Sequence, residues 1–402
     1  MLQTFTGKEY LAIDVANNFG LDKDDWDDRL AWFNANEPNL EKLLPKAEEP
    51  ALFFAAVKAY RKAQHGQTVH YPISLDATSS GIQILAALTG DRKAASLCNV
   101  IDTGHREDAY TGLYTAMCEK IGDQAKIDRK DTKKAIMTAF YSSTAVPKTV
   151  FGEGLLLDIF YETMKENAPA AWELNEAMLA IWDPTKFSND WVLPDNFHVH
   201  VKVMSTITEN VHFLNAPHEV QYSVNRPMEG GRSLGANMTH SIDGMIVRDM
   251  ARRCMYDPKH ISYLLDCLAQ SWSVPSKGTK RGKDVLVERL HQLWVDSGYY
   301  SPRILDYLDE HNIDLTDRGA LLSLIQSLPK KPFNVISVHD CFRCLPNYGN
   351  DLRKQYNRIL SDIARSDLLS FILTQLMGRN IAVQKIDPNL WVDILESNYA
   401  LS

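Results

Sequence analysis

No stretch of the 402 residues stays apolar for the ~18 positions that a membrane-spanning helix needs, so no membrane partner is expected. A surplus of positive charge is also missing. Lys and Arg number 43 against 51 Asp and Glu, giving a formal net charge of −8. That excludes a global basic footprint, and any nucleic-acid surface has to be local. Cysteine is scarce: six residues, at 98, 118, 254, 267, 341 and 344, with irregular spacing. This fits reduced thiols in a cytoplasm better than a disulfide framework. Cys341 and Cys344 form a lone CxxC without a second pair, which reads as incidental spacing. The first residues, Met1 to Glu9, do not have the pattern of a signal peptide, so a cytoplasmic location is expected.

What is present is an ordinary globular composition, 45% hydrophobic and 23% charged. Helical periodicity dominates. Helices are expected over Lys8–Phe19, Trp26–Asn36 and Pro50–Ala63, then from Ala94, from Glu107 to Ile121, and as two helices over 155–182 split by Pro169. Alternation returns at 198–204 and 220–224, predicting a β-ribbon over about 197–224 with a long polar tip. Residues 237–253 open another helix, and 257–332 read as mostly helical. That segment holds the most basic run, Lys277 to Lys283, either a solvated loop or a contact to a nucleic-acid backbone. The last residues are apolar to the end, which suggests docking rather than fraying.

Three stretches carry possible chemistry. In the first, Val69, Tyr71, Ile73 and Leu75 alternate as a strand, with Pro72 favouring an edge or strand-start position. The strand delivers Asp76, followed by the small-residue turn Ala77 to Gly81 and an apolar helix that Gly90 stops. Either Asp76 faces a bulky charged ligand such as a metal with a phosphate, or it caps the helix. In the second, Asp128 is placed as an N-cap, and Arg129, Lys133, Met137 and Tyr141 follow at intervals of four, along one drifting helix face. Cations leading to a thioether and a phenol suit a triphosphate lying along the helix with sugar and base at its end. A salt-bridged exposed helix with Tyr141 in the core fits the same spacing. Tyr110 reads as core or ligand-facing. In the third, Val335, Ile336 and Val338 predict a short buried strand, with His339 and Asp340 at a hairpin turn. Charge there is costly unless it is paired or bound to metal.

These stretches, in this order, resemble the single-subunit DNA-directed RNA polymerases of bacteriophages and mitochondria. Asp76-x4-Gly81-Ile-Gln83 is similar to motif A of that family, Arg129-x3-Lys133-x7-Tyr141 to motif B, and His339-Asp340 to motif C. The segment Asn237 to Gly244 resembles the family's His-Ser-x-Asp-Gly element, through His240. Residues Asp393 to Ser402 resemble its C-terminal foot, and Ala16-Asn17 with Gly20-x-Asp22-Lys23 a run upstream of motif A. The resemblance implies an α+β, predominantly helical fold, a right-hand polymerase palm and fingers with a small antiparallel palm sheet. The palm would span 1–95, the fingers 96–239, a return to the palm 240–256, a helical insertion 257–332, and the palm with its foot 333–402.

The implied reaction is templated addition of rNTPs to an RNA 3′ end on a DNA template. The resemblance gives Asp76 and Asp340 two Mg²⁺ ions, with the Ala77 carbonyl as a further ligand. It places Arg129 and Lys133 on the triphosphate, Tyr110 and Met137 beside the nucleotide, and Tyr141 with His240 at the ribose 2′-OH. Two departures stand out: Ser142 occupies a position usually held by Gly, and 99 residues separate His240 from His339. The family's N-terminal domain, thumb and first palm strands have no counterpart in these residues. The arrangement thus resembles the larger subunit of the heterodimeric polymerases of N-four-like phages. A second polypeptide carrying the missing half is expected, with a single-stranded-DNA-binding factor as a further candidate partner and the host cytoplasm as the location. A family A-like DNA polymerase and a non-catalytic subunit of a nucleic-acid complex are the competing readings.

Overall fold

The first helix starts where local chemistry tells it to. The Thr6 hydroxyl accepts from the Glu9 N–H while the Glu9 carboxylate accepts from the Thr6 N–H, a reciprocal cap that opens α1 (Gly7–Ala16). A wide helical turn follows over Asn17–Leu21, and Gly20, with φ of 121°, takes a conformation that side chains rarely adopt. The computed structural model describes residues 2–122, 126–231, 233–270 and 281–402. It continues through α2 (Trp26–Asn36), the short α3 (Leu40–Leu43) and α4 (Pro50–Gln64) to β1 (Ile73–Asp76) and α5 (Ser80–Thr89). Next come α6 (Arg92–Leu97), α7 (Ala109–Ile121), α8 (Arg129–Ala139), α9 (Ala145–Phe151), α10 (Leu155–Asn167) and α11 (Pro169–Ala180).

Two separate two-stranded units come next. β2 (Ser188–Val192) pairs with β3 (His198–Lys202), and β4 (Met204–Phe213) pairs with β5 (Ala216–Asn225). The chain returns through α12 (Ser233–Cys254), α13 (Pro258–Ala269), α14 (Gly282–Ser297) and α15 (Arg318–Gln326). It closes with the hairpin β6 (Ile336–Val338) and β7 (Cys341–Cys344), then α16 (Gly349–Arg365), α17 (Leu368–Met377) and α18 (Leu390–Ile394). The whole is mostly helical with small antiparallel sheets, an α+β arrangement.

The core is built around α5. From Gly81 to Thr89 every residue is buried, as expected of a helix that is apolar all round. Each fully buried Leu or Ile in it contributes about 1.5–3 kcal/mol. Its one long polar side chain, Gln83, is satisfied on every side: its amide nitrogen reaches the Thr78 hydroxyl and the carbonyls of Cys98 and Ala400, and its oxygen accepts from Tyr356. Helices α11, α12 and α16 surround α5. The two chain ends meet over this core. Arg353, fully buried, donates to the carbonyls of Gln3 and Asn398, and Tyr399, Ala400 and Leu401 are buried, so the tail docks as expected. A second apolar cluster, from Ile261 to Leu328, lies among α13, α14 and α15. It is tied to α12 through Asp249, which accepts from Tyr299, Ser301 and Arg252.

Several expectations change. The strand expected from Val69 begins only at Ile73, just past Pro72, and lies at a sheet edge. Residues 197–224 are not one ribbon. β3 pairs backward with β2, and β4–β5 is an independent hairpin closed at Leu214 and Asn215, both with positive φ. Its tip is apolar rather than polar, Phe213 and Leu214 being 64% and 85% exposed. The expected buried strand at 335–338 is instead an exposed edge, with Ile336 and Val338 57% and 61% exposed; β7 is the buried strand of that hairpin, through Phe342 and Cys344. The basic run is divided: Lys277 to Lys280 lie outside the described residues, while Arg281 and Lys283 are spent on Asp284 and Asp309. No helix among the described residues is long and apolar enough to cross a membrane.

Candidate active site

The three-stranded sheet, in the order β1-β7-β6, brings the two carboxylates singled out in the sequence to one end. Asp76 ends β1 opposite Cys341, so Asp340, one residue earlier, stands beside it at the hairpin turn. The Ala77 N–H donates to the Asp340 carbonyl at 3.2 Å. His339 takes the turn with φ of 55°, a left-handed conformation costing roughly 1–2 kcal/mol for a residue with a Cβ. On its other side Asp76 is laced to the tail: its N–H donates to the Ser402 carbonyl and its own carbonyl accepts from the Ser402 N–H. Asp76 does not cap α5. Ser79 holds that position, without a side-chain capping bond.

Electrostatics mark the same spot. Burial, and then the Asp340 charge, push the Asp76 carboxyl up to about 6. Asp243, on α12, is likewise pushed up to about 6 by burial and by Asp340, with His339 acting the other way. Crowded carboxylates that resist ionising together are a donor set for a cation. Two of them at one strand end, with the Ala77 carbonyl free of any backbone partner among the described residues, offer the oxygen ligands that Mg²⁺ prefers. Among the described residues no group of three or more His, Cys, Asp or Glu is placed to hold a metal ion.

Two cavities meet beside this pair. The larger, about 330 Å³, has Asp22, Lys23, Asp76, Arg106, Asp108 and Lys133 in its wall. The smaller, about 230 Å³, is lined by Ser79 to Ile82, Met137, Phe140, Tyr141 and Asp340. Ala77, Thr78 and Tyr110 belong to both. Tyr110 is fixed from two sides. Its hydroxyl lies 3.2 Å from that of Ser79, and the Lys133 ammonium sits over its ring at 5.0 Å. The helix carrying Lys133 starts at the Asp128 cap as the spacing predicts, but α8 ends at Ala139, so Tyr141 stands in the following turn rather than on the helix face. The Tyr141 ring packs against His240 in a tilted pair, centroids 4.9 Å apart, and rests on Gly81, where a Cβ would fall 2.3 Å from the phenol oxygen. Burial, then Tyr110, Asp243 and Asp340, push its phenol up to about 12, so it stays a neutral donor.

Asp76, Ala77, Tyr110, Lys133, Met137, Tyr141 and Asp340 thus come together. Arg129 lines neither cavity. It is paired with Asp108, the residue that caps α7, at 3.0 Å. His240 reaches the site only through Tyr141. Ser142, which stands where the family usually has glycine, has φ of 66°, and its hydroxyl donates to Asn175 at 2.7 Å, so a side-chain bond holds the left-handed turn. Asp243 and Arg106 had not been singled out. Asp243 lies within the Asn237–Gly244 element and was legible there; nothing local signals Arg106.

Residues 4–172 match the family model described as DNA-dependent RNA polymerase. Through this segment the chain is similar to DNA-directed RNA polymerases of the phage and mitochondrial type. Among its relatives is a probable DNA-directed RNA polymerase of Agaricus bitorquis, 23% identical over 372 residues, 73% of this chain and 34% of that protein. The DNA-directed RNA polymerase of Pseudomonas phage phiKMV is 23% identical over 65% of this chain and 40% of its own length. The mitochondrial enzyme of Schizosaccharomyces pombe is 28% identical over 35% of this chain and 14% of its own. The chain therefore spans well under half the length of these RNA polymerases. Divalent metal use is general to that family, and the match to residues 4–172 takes in Asp76, Lys133 and Tyr141.

Proposed function

We propose that this chain carries the catalytic centre of a DNA-directed RNA polymerase, adding rNTPs to an RNA 3′ end opposite a DNA template. One observation carries the reading: Asp76 at the end of β1 and Asp340 in the neighbouring β6–β7 turn open onto two joined cavities whose walls pass from cations to aromatic and small residues. Asp76, Asp340 and the Ala77 carbonyl would hold two Mg²⁺ ions, which when bound lower the barrier at the 3′-hydroxyl and neutralise the leaving phosphates. In this reading the chain's own groups position the nucleotide. Lys133 offsets triphosphate charge, with Arg129 joining on release from Asp108. Tyr110 and Met137 flank the nucleotide. Tyr141, held neutral and packed against His240, presents its hydroxyl to the ribose 2′-OH. The new bond joins the 3′-oxygen to the α-phosphorus, the bond to the β-phosphate oxygen breaks, and pyrophosphate leaves.

The same reading assigns 1–95, 240–256 and 333–402 to the palm, 96–239 to the fingers and 257–332 to a helical insertion. A second polypeptide completing the palm is part of it. The β1 side of the sheet is closed by the tail, whereas the β6 edge is open beside a groove of about 550 Å³ that includes His70, Tyr256, Phe333 and Ile336. An unpaired apolar edge is a template for an added strand. A single-stranded-DNA-binding factor and action in the host cytoplasm belong to the same proposal.

Titration with a fluorescent rNTP at fixed Mg²⁺ tests the pocket. Lys133→Ala is expected to weaken binding by about 10- to 100-fold, the loss typical of a charge-assisted contact. Unchanged affinity would remove Lys133 and this cavity from the nucleotide path.

A further inference from the structure

The helical segment at 257–332 leaves a cleft against the rest of the chain that the reaction as described does not use. Of about 550 Å³, it lies between α14 and α15 on one side and α16 on the other. Its walls are fixed at both ends. Gln355 of α16 donates to the Ser327 carbonyl at 3.1 Å, with the buried Arg253 bonded to both residues. At the other end the Asp367 N–H donates to the Ser297 carbonyl at 2.8 Å. One wall is aromatic. The rings of Trp294 and Tyr300 stack with centroids 4.8 Å apart, both half-buried and both lining the cleft. Val295, beside them, is 58% exposed, and the small side chains of Ala320 and Ser323 leave the space open.

The facing wall is cationic. α16 buries Leu352, Tyr356, Ile359 and Ile363, and its outer face carries Arg358, Asp362 and Arg365 at spacings of four and three. Arg358 uses only its Nε on Asp362, at 3.0 and 3.2 Å, so its two terminal amino groups have no acceptor among the described residues. Arg365 is exposed, lies over the Trp391 ring at 5.1 Å and has no carboxylate partner among the described residues. One positive charge therefore remains after Asp362 is matched. Stacked rings facing guanidinium groups with free donors are the pairing that bases and phosphates satisfy together. A duplex keeps the faces of its bases inside, and a lone phosphate leaves the rings unused. We propose that this cleft binds single-stranded nucleic acid, a base against the Trp294–Tyr300 pair and the adjoining phosphates on Arg358 and Arg365. The choice of a strand as occupant rests on the polymerase reading above, in which template and RNA are present unpaired.

The test is fluorescence anisotropy of labelled oligo(dT) with the intact chain, beside a labelled duplex of equal length and a fluorescent rNTP, for wild type, Trp294→Ala and Arg365→Ala. Trp294→Ala is expected to weaken oligo(dT) by about 5- to 100-fold. Arg365→Ala is expected to lower the slope of log affinity against log salt by about 0.7. Both variants should bind the rNTP as wild type does. An oligonucleotide carrying a photoreactive thymidine is expected to cross-link to peptides of α14 and α16 in the wild-type complex. Absence of those cross-links, or unchanged oligo(dT) affinity and salt slope in both variants, would overturn the proposal. So would equal weakening of the duplex by Trp294→Ala, or displacement by dTMP at the concentration oligo(dT) itself requires, the mark of a mononucleotide site. If Trp294→Ala fails to fold, Arg365→Ala, at an exposed position, decides. A chain that binds oligo(dT) in this cleft yet extends no primer with a candidate partner polypeptide would overturn the polymerase reading and leave the site standing; primer extension without binding here would do the reverse.

Discussion

Asp76, in the proposed site, carries a carboxylate charge that folding disfavours. The protein around it raises its carboxyl from the ordinary 3.8 to about 6, burial first and Asp340 second. A carboxyl raised on folding stabilises the native state below its unfolded value, and that contribution is lost as pH climbs through the folded value. In metal-free buffer, Asp76→Asn is therefore expected to melt close to wild type near pH 4 and above it at pH 7 to 8, the gap opening between pH 4 and 6. Mg²⁺ should raise the wild-type midpoint at pH 7 to 8 and leave that of the variant nearly unchanged. Thermal melts of both proteins across pH check this, and equal midpoints throughout would contradict it. Asp76 and Asp340 were legible in the sequence because local signals place them: a strand end before a small-residue turn, and a charged pair where a hairpin must reverse. Arg106 was not, since its meaning comes from elements packed together across long separations, and Asp243 was legible only within the Asn237–Gly244 element. The Tyr141–His240 contact spans 99 residues and was reached through the family resemblance alone.

Among the elements, α5 and the turn after α8 are coupled through one glycine. Gly81 is helical and buried, so alanine there would gain about 1 kcal/mol in helix propensity. Its Cβ, however, would fall 2.3 Å from the Tyr141 hydroxyl oxygen. Gly81→Ala is therefore expected to leave a folded chain with Tyr141 displaced, and to weaken rejection of dNTPs relative to rNTPs. Tyr141→Phe should do the same by removing the hydroxyl without moving the ring. Competing incorporation of rNTP and dNTP by each variant reads this out, and wild-type discrimination in both would remove Tyr141 from sugar selection. Helix boundaries were legible where caps are spelled locally, as at Asp128 and at Gly90, whose φ of 68° ends α5. Strands were misread where alternation does not reveal the partner. His198–Lys202 alternates, but it pairs backward with Ser188–Val192. The apolar Ile336 and Val338 read as core yet form an open edge, because composition gives a strand's preference and not its neighbours.

Across the whole molecule, net charge of −8 and a local cluster of cations are compatible. Lys23, Arg106 and Lys133 gather in one cavity, while Arg281 and Lys283 neutralise their own neighbours. The hairpin β4–β5 carries Glu209 and Glu219 and no Lys or Arg, so it brings no cation to a phosphate backbone. The predominance of helix was legible from periodicity, and the docking of the tail from its apolar end. The way the tail closes β1 through Ser402 was not, since that pairing joins residues at opposite ends of the sequence. The most direct measurement is extension of an RNA primer on a DNA template with Mg²⁺ by this chain, alone and with a candidate partner polypeptide, supplied with rNTPs or dNTPs, for wild type and Asp340→Asn. The account predicts extension by wild type with rNTPs preferred, and loss of extension in a variant that remains folded. Full extension by Asp340→Asn would place the catalytic centre elsewhere, and a preference for dNTPs would make the chain a DNA polymerase.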